Sequence, residues 1–256
     1  MERHRARKRF GQNFLVDAHY VAKIVDAIAP APNDRIVEIG PGQAALTAAL
    51  IERAHHVTAI EIDRDLAAQL VQRFPPQRLT LHVGHALDFD FATLGENLRI
   101  VGNLPYNIST PLLFHLAQYD ARLRDIHVML QREVVARMAA APATPDYGRL
   151  TVMLQAKFAI SRLLVVPPGA FRPVPAVDSA VVRLVPLGAA KPNIADEALF
   201  AKVVMAAFGH RRKTLRNALA GVADADAMER AGVDPAVRGE TLAVADFVRL
   251  ANQLAA

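Results

Sequence analysis

Residues 35–43 read Arg35-Ile-Val-Glu-Ile-Gly-Pro-Gly-Gln43, an apolar run that stops at two glycines and opens into a helical pattern from Ala44. Strand, glycine turn, helix is the opening of an α/β unit, and the pattern repeats outward in both directions. Apolar runs at Arg35–Ile39, Val57–Glu61, Leu79–Val83, Arg99–Gly102 and Ile126–Leu130 predict strands. Between and around them, 3.6-residue periodicity predicts helices at Asp17–Ala29, Ala44–Arg53, Arg64–Arg73, Thr110–Gln118 and Arg132–Ala139. Alternation at this spacing predicts a Rossmann-like, doubly wound parallel sheet. Val-rich, extended segments over 149–185, including Ala176–Val185, predict antiparallel strands added at one edge. Pro186–Asn193 reads as a linker, and only helical patterns follow from Ala195.

The turn after the first strand also speaks to chemistry. Gly40 and Gly42 remove side chains where a ligand would lie against the backbone. No third glycine completes a dinucleotide fingerprint, so the turn suits a nucleoside without a diphosphate, such as S-adenosylmethionine. Glu61 ends the second strand, where a carboxylate can accept from both ribose hydroxyls. His85 follows the third strand, and a neutral imidazole there can accept a bond from an adenine amine. Taken singly, these are also a structural turn, a solvated Glu and a surface His; at matched strand ends they form a nucleoside site.

A second constellation follows the fourth strand, in Asn103-Leu-Pro-Tyr-Asn107. The proline stops the strand and leaves an amide, a free carbonyl and an aromatic ring at its mouth. Asn103 Oδ1 and the Leu104 carbonyl can accept both protons of an exocyclic amine while Tyr106 stacks on the base. Both bonds concentrate lone-pair density on the nitrogen. A plain strand-to-helix turn uses the same residue types.

Bulk composition bounds these readings. The chain has 256 residues, 52% hydrophobic and 6% aromatic, enough for one large domain and a small appendage. It has no cysteine, which excludes disulfides, thiolate nucleophiles and Cys-ligated zinc. Its nine histidines have no metal-site spacing, so no metal is expected. Residues 1–10 are basic but lead into no apolar signal core, and no run approaches the ~20 residues of a membrane span. A cytoplasmic protein without a membrane partner is expected. The net charge of +5 is concentrated in Arg3, Arg5, Arg7, Lys8 and Arg9 and in Arg211, Arg212, Lys213 and Arg216. Two separated basic foci predict an extended polyanion, hence nucleic acid.

Six stretches occur in order: Gly11-Gln-Asn-Phe-Leu15, Glu38-Ile-Gly-Pro-Gly42, Glu61, Asn103-Leu-Pro-Tyr-Asn-Ile-Ser-Thr-Pro111, Phe171-Arg-Pro-Val-Pro-Ala-Val-Asp-Ser179 and Arg211-Arg-Lys-Thr-Leu-Arg-Asn217. On these the chain resembles the ribosomal RNA adenine N6,N6-dimethyltransferases, in particular the bacterial small-subunit members, from Arg7 to near the C-terminus. The resemblance implies a class I methyltransferase domain over 1–190, with a basic N-terminal arm, and a helical rRNA-binding domain over 191–256. It implies methyl transfer from S-adenosylmethionine to N6 of two adjacent adenosines in a hairpin near the 3′ end of 16S rRNA, during small-subunit biogenesis. Asn13 and Leu15 would close over the methionine and ribose end, Gly40 would lie against the ligand, and Glu61 would hold the ribose. Asn103 would meet both methyl donor and target amine, with Leu104 supplying a carbonyl. Tyr106 and Phe171 would sandwich the base, and Arg211, Arg212, Lys213 and Arg216 would grip the rRNA. The family usually has Asp where this chain has His85, so cofactor affinity is expected to weaken as the ring protonates in mild acid. A DNA adenine methyltransferase, a large-subunit rRNA methyltransferase and a non-catalytic assembly factor are the competing readings; a monomer is expected.

Overall fold

The computed structural model describes Arg7, residues 11–210 and residues 212–256. Of the basic foci, Arg3, Arg5, Lys8, Arg9 and Arg211 lie outside the described residues. In chain order the elements are β1 (Phe14–Leu15), α1 (Ala18–Ile28), β2 (Arg35–Ile39), α2 (Ala45–Ala54), β3 (Val57–Glu61), α3 (Arg64–Arg73) and β4 (Leu79–Val83). There follow β5 (Leu98–Asn103), α4 (Ser109–Leu116), β6 (Leu123–Gln131), α5 (Arg132–Met138), α6 (Arg149–Gln155), β7 (Phe158–Val166), β8 (Phe171–Arg172) and β9 (Ser179–Pro186). The last helices are α7 (Glu197–Gly209), α8 (Leu215–Ala218), α9 (Ala225–Arg230) and α10 (Val244–Ala255).

The main sheet has seven strands in the order β4-β3-β2-β5-β6-β9-β7. Strands β2 to β6 pair in parallel, and β9 runs antiparallel to β6. Their near-continuous apolar runs are those of strands covered on both faces. From β2 the chain winds outward through β3 and β4, then returns to lay β5 on the other side of β2. That reversal opens a crevice beyond the carboxyl ends of β2 and β5, where doubly wound sheets bind ligands. Gly102 belongs to this close pairing: a Cβ there would stand 2.4 Å from the Ile39 carbonyl oxygen, so β5 needs glycine to approach β2.

The chain divides into two compact units. One holds residues to Val135 together with Ile160–Pro186, and the other Ala136–Ala159 with Leu187–Ala256. The sequence division at 190/191 left 136–159 with the first domain, whereas the second unit takes them. The reason is visible in α6, which replaces the extended segment expected at its sequence. Leu150, Thr151, Val152 and Leu154 are buried on it, and Val152 packs with Tyr147, Phe200, Val204 and Phe247 in the second unit's core. The Tyr147 hydroxyl donates to the Leu242 carbonyl at 2.8 Å, tying the two sequence segments of that unit together. The first unit's core is built from Ile24, Val25, Ile28, Ile36, Leu50, Val57 and Val101.

Candidate active site

A cavity opens at the β2/β5 crevice. Its floor is the loop after β2 (Gly40 to Gln43), and its walls are Glu61 and Ile62 after β3, His85 and Ala86 after β4, and Asn103 to Tyr106 after β5. Gly11 to Leu15 close it from the N-terminal side. Asn13, Leu15, Gly40, Glu61, His85, Asn103, Leu104 and Tyr106, predicted from sequence, therefore share one cavity.

The glycine loop is held by backbone geometry. Gly42 has φ +57°, and a Cβ on it would meet the Phe14 ring at 3.1 Å. Its N–H donates to Glu61 Oε2 at 3.0 Å, and the Asp63 N–H donates to Glu61 Oε1 at 2.8 Å. Both bonds fix the carboxylate and leave each oxygen one lone pair for a ligand hydroxyl. Burial pushes the Glu61 carboxyl up, with these two N–H groups pulling the other way.

Glu38 is the residue that sequence reasoning quoted but assigned no role. It is 1% exposed, lines the cavity, and its Oε2 has no hydrogen-bond partner. Burial pushes its carboxyl up to about 7; Thr47 on α2 opposes the shift and the neighbouring Glu61 adds to it. The signal was available: an acidic residue inside an otherwise apolar strand needs a partner or a purpose.

Residues 11–15 form a strap over the cavity mouth, and Arg7 lies beside it. Arg7 pairs with Asp63 and Asp65, and Gln12 Nε2 donates to Asp63 Oδ2 at 3.1 Å. Asp63 is fully buried and also caps α3 through the Asp65 N–H. Beyond it, β1 pairs with β8, Leu15 opposite Phe171. Asn103 Nδ2 donates to the Asn13 carbonyl at 2.8 Å, which orients the amide and leaves Oδ1 as its acceptor. The Leu104 N–H donates to the Met129 carbonyl at 3.1 Å, anchoring the loop on β6. The Tyr106 hydroxyl shares a 2.7 Å hydrogen bond with Ser179 Oγ.

Two expectations change. Phe171 is fully buried in the core with Leu15 and Val166 and does not line the cavity. Paired with β1, it is an anchor under the strap, and its ring is not presented to the cavity. His85 does line the cavity, but with the opposite polarity: its Nδ1 accepts from the Leu87 N–H at 3.1 Å. The neutral ring then carries its proton on Nε2, which donates. It suits an adenine ring nitrogen rather than the amine.

In the second unit, Arg212, Lys213 and Arg216 are exposed on the turn before α8 and on its first residues. The Arg216 N–H is held by the Pro235 carbonyl at 3.0 Å, and the Lys213 N–H by His210. Among the described residues there is no cluster of His, Asp and Glu suited to a metal, and no helix is long and apolar enough to cross a membrane.

A family model described as ribosomal RNA adenine dimethylase matches residues 3–256. The chain belongs to that family. Among its relatives, the ribosomal RNA small subunit methyltransferase A of Aromatoleum aromaticum is 60% identical, covering all of this chain and 97% of that protein. The protein of the same name from Thiobacillus denitrificans is 57% identical over 98% of this chain and 99% of its own length. The fold agrees with a dimethyladenosine transferase from Plasmodium falciparum, with TM-score 0.81 at 24% identity over 93% of this chain and 95% of that one. It also agrees with the 23S rRNA methyltransferase ErmE, with TM-score 0.71 at 26% identity over 95% and 100%. The chain is thus a class I methyltransferase of the adenine dimethylase family, and its cavity lies at that fold's switch point.

Proposed function

We propose that this protein transfers methyl groups from S-adenosylmethionine to N6 of two adjacent adenosines near the 3′ end of 16S rRNA, within the small ribosomal subunit. The observation that carries the reading is Asn103: one amide bridges the strap that closes the cofactor cavity and the loop that presents Tyr106.

The cavity fits the cofactor by its donor set. Glu38 offers an unpartnered buried oxygen to a cationic ligand, Glu61 offers oriented acceptors to ribose hydroxyls, and His85 Nε2 offers a donor to adenine. Asn13, Leu15 and Gly40 complete the walls. When bound, S-adenosylmethionine supplies a methyl group on a sulfonium, an electrophile with its leaving group built in. The protein has then to align the nucleophile in line with that methyl. In the first transfer Asn103 Oδ1 accepts one proton of the target amine and the Leu104 carbonyl the other, turning the nitrogen lone pair toward the cofactor. One proton leaves to solvent after attack, and in the second transfer a single N–H remains to be held. Tyr106 stacks on the base, and ~1–3 kcal/mol from stacking offsets much of the few kcal/mol spent in unstacking it from the RNA. Arg212, Lys213 and Arg216, with Arg211 beside them, contact rRNA phosphates. The protein works as a cytoplasmic monomer.

Replacing Asn103 by Ala removes the acceptor and the strap contact together. Transfer to undermethylated small subunits should fall at least about a hundredfold, the scale of losing an oriented polar group at a reacting centre. Capture of the subunits should be unchanged. Turnover retained by N103A would overturn the role of Asn103.

A further inference from the structure

We propose that Ser179 is the positioning residue for Tyr106, setting the plane of the ring on which the target base stacks; this rests on the methyltransferase reading above. Phe171 is sealed in the core, and Tyr106, in the cavity wall beside Asn103 and Leu104, is the ring read as stacking on the base, so its orientation bears directly on alignment. Tyr106 sits in the loop between β5 and α4, which is pinned at its start by the Leu104 bond to Met129 and at its end by Ile108 N–H donating to the Pro105 carbonyl at 3.2 Å. The Ser109 hydroxyl donates to the Tyr106 carbonyl at 3.0 Å. Those contacts fix the Tyr106 backbone and leave the two side-chain torsions free.

The hydrogen bond to Ser179 fixes those torsions from the far end of the ring. Ser179 is fully buried and belongs to the sheet, since β9 begins there with Ser179 in register with Gln131 of β6. The residue before it is held as well: the Arg132 N–H donates to the Asp178 carbonyl at 2.9 Å, and the Arg132 and Asp178 side chains pair at 3.3 Å. The phenol therefore reaches from a loop to a rigid strand. Burial pushes the Tyr106 phenol up, with the Ser179 bond pulling back, so the hydroxyl is neutral and spends its hydrogen bond on Ser179. What remains for the substrate is the ring face. A ring ordered before the base arrives saves the entropy of ordering it on binding.

Ser179→Ala and Tyr106→Phe remove the same hydrogen bond from opposite ends, and Y106F leaves the buried serine untouched if S179A folds poorly. With undermethylated small subunits as substrate, each should lower kcat/KM about tenfold, the equivalent of one lost positioning hydrogen bond. The double variant should be no worse than either single one, because only one interaction is lost. Affinity for S-adenosylmethionine should stay at the wild-type value in all three. Losses that multiply in the double variant would overturn the proposal, as would Y106F with wild-type kcat/KM. S179A that loses cofactor affinity in step with kcat/KM would show a structural role instead. Wild-type protein inactive on subunits would overturn the function itself, an outcome distinct from these.

Discussion

Glu38 shows how far a single side chain can depart from what its sequence position suggests. A carboxyl in a strand of Ile and Val is buried and half unsatisfied, and burial pushes it up to about 7. In the unfolded chain it loses its proton at about pH 4.3. Between that pH and about 7 the native state keeps a proton that the unfolded state has lost, so stability falls as pH rises. The full effect is about 3–4 kcal/mol for a shift of this size. Urea midpoints of the cofactor-free protein should drop from pH 5 to pH 7.5, and Glu38→Gln should flatten that slope; parallel slopes would assign the titration to another group. The other site residues divide by the kind of information they need. The placing of Asn103, Glu61 and Gly40 at one cavity was legible because strand ends and glycine turns are local signals. The polarity of His85 was not, since it depends on the Leu87 N–H two residues away folding back onto Nδ1. Phe171 was misread because an aromatic residue in a loop-like motif says nothing of which side it faces, and pairing with β1 turns it inward.

Elements carry the next layer, and two charge arrangements, one buried and one half-exposed, hold them in place. Arg99 on β5 is 3% exposed and grips Asp125 on β6 through two 2.9 Å bonds, Asp34 before β2 at 2.6 Å, and the Ile28 carbonyl at the end of α1 at 2.6 Å. Burial alone would raise the Asp125 carboxyl, but the neighbouring His127 and Arg99 hold it well below the usual range. Arg99→Met removes both close bonds to buried Asp125, while Asp34 keeps Arg124 and the Ala31 N–H, and should cost about 3–5 kcal/mol in chemical denaturation. A loss below about 1 kcal/mol would mean that water reaches the cluster, leaving it with the energetics of an exposed pair. At the other end of the sheet, Arg7 latches the strap to Asp63. Arg7→Ala should weaken S-adenosylmethionine binding about fivefold by lowering the fraction of closed strap, read by titration calorimetry. An unchanged affinity would leave closure to β1 and Gln12 alone. Parallel strands and amphipathic helices were plain in the sequence because their periodicity is their own. Helix α6 was not, because Val152 is buried in a core with Phe200, Val204 and Phe247, more than forty positions away in the chain, and a Val-rich run reads the same as a strand until they are in place.

At the scale of the whole molecule, an α/β unit with a cavity at its switch point is joined in one chain to a helical unit with exposed arginines and lysine. The order of motifs made that pairing readable, but the limit of the second unit was not, since 136–159 joins it across the sequence. If Arg212, Lys213 and Arg216 meet phosphates, replacing all three by Gln should reduce the slope of log affinity against log salt by about 0.7 per lost contact. An unchanged slope would move the RNA footprint to other residues. The central claim is that the cavity methylates adenine in one kind of ribosomal RNA. It is tested most directly by incubating the protein and S-adenosylmethionine with undermethylated small subunits, large subunits and duplex DNA in parallel, then resolving the nucleosides by mass spectrometry. N6,N6-dimethyladenosine in the small-subunit reaction alone is the predicted result; its appearance in either other substrate, or its absence from all three while cofactor and subunits still bind, would contradict the account.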